Sequence, residues 1–148
     1  MDQAIAGRTP AHLWIVGVLS LLWNCVGGYD YTMTRLRNAE YLSMVGNPDE
    51  ILAYIDAMPM YAQICWGLGV WGALLGSVLL LLRNRYAVHA FAASLVGAVI
   101  SLGTQYFGPP MPAGMDSGFA KYMPLVIIAL AAVQLWYALR VRKAGVLR

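Results

Sequence analysis

Four long apolar stretches, separated by polar segments, dominate the hydrophobicity pattern of the chain. They cover residues 11–30, 60–82, 87–107 and 122–140. Each is close to the roughly 20 apolar residues that a helix needs to cross a hydrocarbon core about 30 Å thick. Because backbone groups in lipid must hydrogen-bond within their own segment, the pattern predicts an all-α membrane protein with four transmembrane helices.

The connections between these stretches determine how the helices run. Only residues 83–86 separate the second and third stretches, so those two helices must form an antiparallel hairpin. A long loop at residues 31–59 precedes the hairpin, and a segment rich in proline and glycine follows it. The sequence therefore predicts a single domain over residues 1–148, folded as an antiparallel four-transmembrane-helix bundle.

The basic residues indicate which end of the bundle faces the cytoplasm. Seven of the ten Lys and Arg residues lie before the first stretch, in the turn at 83–86, or at or beyond the last residue of the fourth stretch. The other three lie on the opposite side, together with most of the acidic residues. Since basic residues are enriched in short cytoplasmic loops, we expect both termini in the cytoplasm and the loop at 31–59 outside.

The long outer loop contains the signals of a helix start. An asparagine suited to an N-cap is followed by a proline and two acidic residues: Asn47, Pro48, Asp49 and Glu50. Apolar residues then recur on one side, at Ile51, Leu52, Ile55 and Met58. This pattern predicts a short amphipathic helix on the outer surface, which seals the end of the bundle, docks a partner or covers a vestibule.

Small residues recur at helical spacing in the second and third stretches. Gly72 and Gly76 are four residues apart on one helix, as are Ala93 and Gly97 on the next. Helices in a bilayer associate by close packing, which small residues permit. The spacing favours packing within one bundle, and dimerisation of two bundles through the same faces is the alternative.

The composition narrows the class of protein further. Of the 148 residues, 60% are hydrophobic and 11% are charged, whereas roughly a quarter are charged in a soluble domain. A disordered chain is excluded, because it needs low hydrophobicity and high charge. The formal net charge is only +3, and the basic residues form no dense stripe. The expected partner is therefore the lipid bilayer and not nucleic acid.

Four polar residues lie in or near the outer third of the predicted spans: Asn24, Asp30, Gln63 and Gln105. Polar groups in hydrocarbon are costly without partners, so these side chains should point into the bundle or into water. One hypothesis is a shallow vestibule that opens outward, with Asp30 at its rim. The other is that the amides only form hydrogen bonds between helices.

The cysteines and histidines give no strong sign of a cofactor. Cys25 and Cys65 lie at similar depths, where a disulfide is geometrically conceivable, but cysteine in apolar surroundings usually behaves as a small hydrophobe. His12 and His89 open two spans at the cytoplasmic side, where haem ligation is less expected than an interfacial role. No metal-ligand spacing is present. We expect no metal, no cofactor and no enzymatic activity.

Three segments resemble a family of short bacterial inner-membrane proteins. They are residues 12–24 (HLWIVGVLSLLWN), 29–34 (YDYTMT) and 69–83 (GVWGALLGSVLLLLR). The resemblance extends over residues 11–106. It implies a bacterial inner-membrane location and four helices, in an architecture similar to that of the DoxX proteins. Members of this family are sometimes labelled sugar transporters, and the resemblance carries no functional residues over to this chain.

Three functions fit these features. The first is a non-enzymatic accessory protein that binds a membrane partner or a second copy of itself. The second is an oligomeric transporter or channel for small solutes, with the vestibule residues lining its path. The third is a redox protein that binds haem or quinone.

Overall fold

The described part of the chain, residues 8–148 of a computed structural model, consists of helices and connecting segments and contains no strand. The prediction of an all-α protein is confirmed for these residues. The helices are α1 (Ala11–Arg35), α2 (Ala39–Ser43), α3 (Pro48–Asp56), α4 (Met60–Leu81), α5 (Ala87–Phe107) and α6 (Met123–Lys143). A short 3-10 helix, Gly118–Tyr122, leads into α6.

Four of these helices, α1, α4, α5 and α6, are long and apolar enough to cross a membrane. Their 21 to 25 residues correspond to roughly 31–38 Å at 1.5 Å per residue. Many of their large apolar side chains remain exposed, among them Ile15, Leu19 and Ile64. Such outward-facing apolar surface suits contact with lipid. The four predicted spans are therefore confirmed as long apolar helices, and α1 continues five residues beyond its predicted end.

The long helices pack side by side as an antiparallel bundle. Helix α4 lies between α1 and α5, and α6 packs against α5. In the described residues, side-chain hydrogen bonds connect α1 directly to α6: one between His12 and Tyr137, and one that Asn24 donates to Gln134. We call the end near Ala11, the turn 82–86 and Lys143 the terminal end, and the end with α2, α3 and residues 108–122 the loop end.

The contact between α4 and α5 is close enough to require glycine. A side-chain carbon at Gly97 would lie only 2.5 Å from the carbonyl oxygen of Cys65, and one at Gly76 only 2.7 Å from the ring of Phe91. At Gly72 it would lie 3.1 Å from the carbonyl oxygen of Ala90. Three of the four predicted packing residues, Gly72, Gly76 and Gly97, therefore lie at this contact, and Ala93, like Gly72, is half-buried.

The terminal end contains the larger apolar core. Phe91 is its largest fully buried side chain, and it is surrounded by buried residues of all four long helices and of the C-terminal tail: Leu13, Leu80, Ala87, Val88, Tyr137, Ala138, Val141 and Leu147. The tail is held by backbone hydrogen bonds between Arg148 and the turn after α4, of 2.7 Å to Arg83 and 2.8 Å to Arg85. This end is closed by packing.

The loop end has a smaller core, supplied mainly by the short helices. Leu42 of α2 packs against Ile51 and Ile55 of α3. Helix α3 begins at Pro48, where the Asn47 side chain accepts a hydrogen bond of 3.0 Å from the backbone N–H of Asp49. Its apolar side, buried at Ile51 and Ile55, faces this core.

Candidate functional site

The four residues singled out from the sequence occupy three different places. Asp30 and Gln105 line the same cavity at the loop end. Asn24 lies deeper, in a buried polar cluster between α1, α4 and α6. Gln63 lies outside the cavity lining, at the junction of α3 and α4. The structure thus brings two of the four together.

The loop-end cavity has a volume of about 90 Å³. Its walls come from α1 to α5 and from the segment before the 3-10 helix. The lining is mostly apolar and aromatic: Asp30, Thr34, Tyr41, Leu42, Val45, Ile51, Tyr54, Ile55, Met58, Trp66, Gln105 and Met115. An apolar wall with a few polar groups is the usual composition of a small-molecule site.

A reversal of the chain after α1 creates the cavity. Arg37 adopts a left-handed conformation (φ +56°), and hydrogen bonds from Arg37 to Thr34 and from Asn38 to Met33 close the helix end. The Asn38 side chain then accepts a hydrogen bond of 2.9 Å from the backbone of Tyr41, which starts α2. Helix α2 thereby folds back beside the last turns of α1.

The fold-back places Tyr41 against Asp30. The Tyr41 hydroxyl donates a hydrogen bond of 2.6 Å to Oδ1 of Asp30. Burial raises the pKa of Tyr41 above its ordinary value of 10.0, and the hydrogen bond to Asp30 and the charge of that carboxylate raise it further. Tyr41 therefore remains a neutral donor at physiological pH.

The Asp30 carboxylate has no cationic partner among residues 8–148. The one ion pair in this part of the chain joins Arg37 to Asp56, at 2.6 Å, and both of its side chains are more than half exposed. Arg35 donates instead to the side chain of Gln63, at 2.9 Å. A partly buried carboxylate without a cation is unusual, because burial disfavours unpaired charge.

Aromatic side chains form much of the remaining wall. Tyr41, Tyr54 and Trp66 line the cavity together with Asp30. Trp66 is held by an edge-to-face contact with Tyr31, whose ring centre is 4.7 Å away. Sequence patterns did not single out these three lining aromatics, because two lie in the long loop and the third lies within a uniformly apolar helix.

Asn24 lies at the centre of a buried cluster of hydrogen bonds. The Asn24 amide donates to Ser77 Oγ at 2.8 Å, to the Ala73 carbonyl at 3.1 Å and to Gln134 Oε1 at 3.4 Å. Ser77 in turn donates to the Ala73 carbonyl at 2.9 Å. Asn24, Ser77 and Gln134 are all buried. The cluster therefore joins three helices.

Gln63 joins α4 to the end of α3. Its amide nitrogen donates to the carbonyl of Met58 at 3.1 Å and to that of Ile55 at 3.5 Å. Its amide oxygen accepts the hydrogen bond from Arg35. These contacts fix the position of α3, and through it one wall of the cavity.

The cysteines and histidines are dispersed. Cys25 and Cys65 are both free. His12 Nδ1 lies 2.5 Å from the Tyr137 hydroxyl, whereas His89 is exposed beside Tyr86. Within residues 8–148 no three His, Cys, Asp or Glu side chains are grouped to hold a metal ion.

Likeness to known proteins does not identify the site. Comparison with protein-family models, with curated proteins and with solved structures finds no match to the chain. The resemblance to short bacterial inner-membrane proteins therefore stays a prediction. What the chain does must be inferred from the chemistry of the cavity.

Proposed function

We propose that the chain is a non-enzymatic, multi-pass protein of the bacterial inner membrane that binds a small solute in its loop-end cavity. The observation that supports this proposal is the cavity itself. Its volume is about 90 Å³, several times the roughly 10–15 Å³ that a cavity needs to hold one water molecule. It is therefore large enough for a small organic molecule.

The distribution of charge supports an outward-facing cavity. At the terminal end, residues 8–148 carry seven basic side chains and no acidic one, whereas the loop end carries three basic and six acidic ones. The Arg140 guanidinium also lies 5.4 Å from the ring centre of Trp136, a pairing suited to a membrane interface. Because short cytoplasmic loops of membrane proteins are enriched in basic residues, the terminal end faces the cytoplasm in this proposal.

The interior of the bundle favours binding over conduction by a single copy. Asn24 lies six residues before Asp30 on α1, about 9 Å toward the terminal end. There it is hydrogen-bonded to Ser77 and Gln134, and the terminal-end core around Phe91 lies further in. A solute in the cavity would thus rest on a packed interior. Transport through an assembly of several copies stays a separate prediction.

Filling the cavity tests the proposal. Thr34 is buried in the lining, whereas Thr32, two residues earlier and so on nearly the opposite side of the same helix, is exposed. Thr34→Met places a larger side chain in the cavity, and Thr32→Met makes the same change outside it. We would titrate three probes of similar shape, tetramethylammonium, 2,2-dimethylpropan-1-ol and pivalate, into each purified protein by calorimetry.

The expected result is saturable binding of at least one probe to the native protein and to Thr32→Met, with loss of that binding in Thr34→Met. Circular dichroism and elution volume in the same detergent would show that both variants are folded. If no probe binds the native protein, or if both variants bind equally well, the proposed function is wrong.

A further inference from the structure

We infer that the solute is an organic monocation, an amine or a quaternary ammonium compound, held beside Asp30 among Tyr41, Tyr54 and Trp66. This inference rests on the proposed binding function and names the ligand class of the same cavity. It follows from three independent features of the loop end: the charge of the lining, its aromatic content and the surrounding field.

The first feature is the unbalanced charge of the lining. Among residues 8–148, Asp30 is the only Asp, Glu, Lys or Arg side chain that lines the cavity. The described residues give its carboxylate one side-chain hydrogen bond, from the neutral hydroxyl of Tyr41 to Oδ1. A cation in the cavity would supply the missing counter-charge, whereas an anion would be repelled and a neutral apolar solute would leave the carboxylate desolvated.

The second feature is the chemistry of the walls. Tyr41, Tyr54 and Trp66 present electron-rich rings, which attract quaternary ammonium and other organic cations when grouped around them. Met58 and Met115 add polarizable thioethers to the same lining. A small inorganic cation such as Ca²⁺ is usually held by several oxygen ligands with more than one carboxylate among them, whereas the described lining offers one carboxylate, that of Asp30. The combination of one carboxylate with several rings favours an alkylated ammonium group.

The third feature is the field around the cavity entrance. The loop end carries six acidic side chains against three basic ones. Two of these basic residues are already engaged, Arg37 with Asp56 and Arg35 with Gln63. The resulting negative potential raises the local concentration of cations and opposes the approach of anions.

Neutralisation of Asp30 provides the test. Asp30→Asn retains an oxygen that accepts the hydrogen bond from Tyr41, so the change removes charge with little loss of structure. Glu40→Gln is the matched control, because Glu40 is an exposed acidic residue of the loop end outside the cavity lining. Tetramethylammonium, its near-isosteric alcohol 2,2-dimethylpropan-1-ol and pivalate would be titrated into the native protein and into both variants.

We expect the native protein to bind tetramethylammonium at least about tenfold more tightly than the alcohol or pivalate, and Asp30→Asn to lose at least about tenfold in affinity for the cation only. Glu40→Gln should change the cation affinity by less than about twofold, since exposed charges interact weakly.

Several results would overturn the inference. Equal affinities for the cation and the alcohol, unchanged in Asp30→Asn, would show that charge does not select the solute, while the proposed small-solute function would still stand. Equal losses in Asp30→Asn and Glu40→Gln would show that the general field, and not contact with Asp30, attracts the cation. Absence of binding by all three probes would contradict both the inference and the proposed function.

Discussion

The two ends of the bundle are built on different principles. At the terminal end, side chains from all four long helices surround Phe91, and Leu147 of the C-terminal tail covers them. At the loop end, the core consists of Leu42, Ile51 and Ile55 from two short helices, and a cavity lies beside it. Dense packing stabilises one end, whereas the other end leaves open the cavity in which we propose that a solute binds.

Both ends of the bundle contain the same kind of turn after a long helix, but the turns are held by different contacts. Helices α1 and α4 are each followed, two residues after their last residue, by an arginine in the left-handed conformation, Arg37 and Arg83, each at φ +56°. The turn at Arg83 is held by the backbone of Arg148 and by a hydrogen bond from the Arg83 side chain to Thr9. The turn at Arg37 is held from outside by an exposed ion pair with Asp56, which contributes at most about 1 kcal/mol. The two helices thus end in similar turns, of which the turn at the terminal end is held more firmly than the turn at the loop end.

The largest expected effect concerns the terminal-end core. Phe91→Ala should lower the free energy of unfolding by about 3–5 kcal/mol, because it leaves a cavity beside Gly76 in closely packed surroundings. Val96→Ala, on the outer side of the same helix, should have a much smaller effect. Unfolding in mixed micelles of detergent and dodecyl sulfate would measure both. Similar losses for the two variants would contradict the assignment of this end as the stabilising one.

A moderate effect is expected for the polar cluster between the two ends. Asn24→Leu should lower the free energy of unfolding by about 0.6–1.7 kcal/mol, the range of hydrogen bonds between helices in a bilayer. A double-mutant cycle should give a larger coupling with Ser77→Ala than with Gln134→Leu, because the hydrogen bond to Ser77 is shorter. If coupling is absent in both cycles, the cluster does not join the helices.

The smallest effect is a change in stability at high pH. The pKa of Tyr41 is raised in the folded state, so its neutral form contributes stability that is fully present below pH 10 and is lost as the pH rises above that value. From about pH 9 to about pH 11, around the ordinary pKa of tyrosine, the native protein should therefore lose more unfolding free energy than Tyr41→Phe does. Identical slopes would show that Tyr41 is not held neutral by its surroundings.

The spans could be predicted because they depend only on the hydrophobicity and length of continuous stretches of sequence. An apolar stretch long enough to cross a bilayer is recognisable before any tertiary contact is known, and α4 and α5 follow their predicted bounds to within one residue. The start of α3 was also encoded locally, since the side chain of Asn47 caps the helix that begins at Pro48. These features can be predicted because each depends only on residues that are close together in the sequence.

The cavity could not be predicted in the same way. Tyr41 and Tyr54 line the same cavity as Asp30 because the chain reverses at Arg37. An arginine gives no local signal for the left-handed conformation that glycine usually adopts. The partner of Asn24 depends likewise on the rotation of each helix about its axis, which brings together Asn24 and Gln134, 110 residues apart. Asp30 and Gln105 were identified as candidates, but the rings around them were not.

Methionine methyl groups offer the most direct measurement of the central claim, that an organic cation occupies the loop-end cavity. Met58 and Met115 line the cavity, whereas Met44 and Met60 are exposed outside its lining. In NMR spectra of protein labelled at the methionine methyls, tetramethylammonium should shift the signals of Met58 and Met115 saturably and leave those of Met44 and Met60 in place. The same titration of Thr34→Met should leave all four unchanged. Shifts at the exposed methionines alone, or equal shifts at all four, would contradict the claim.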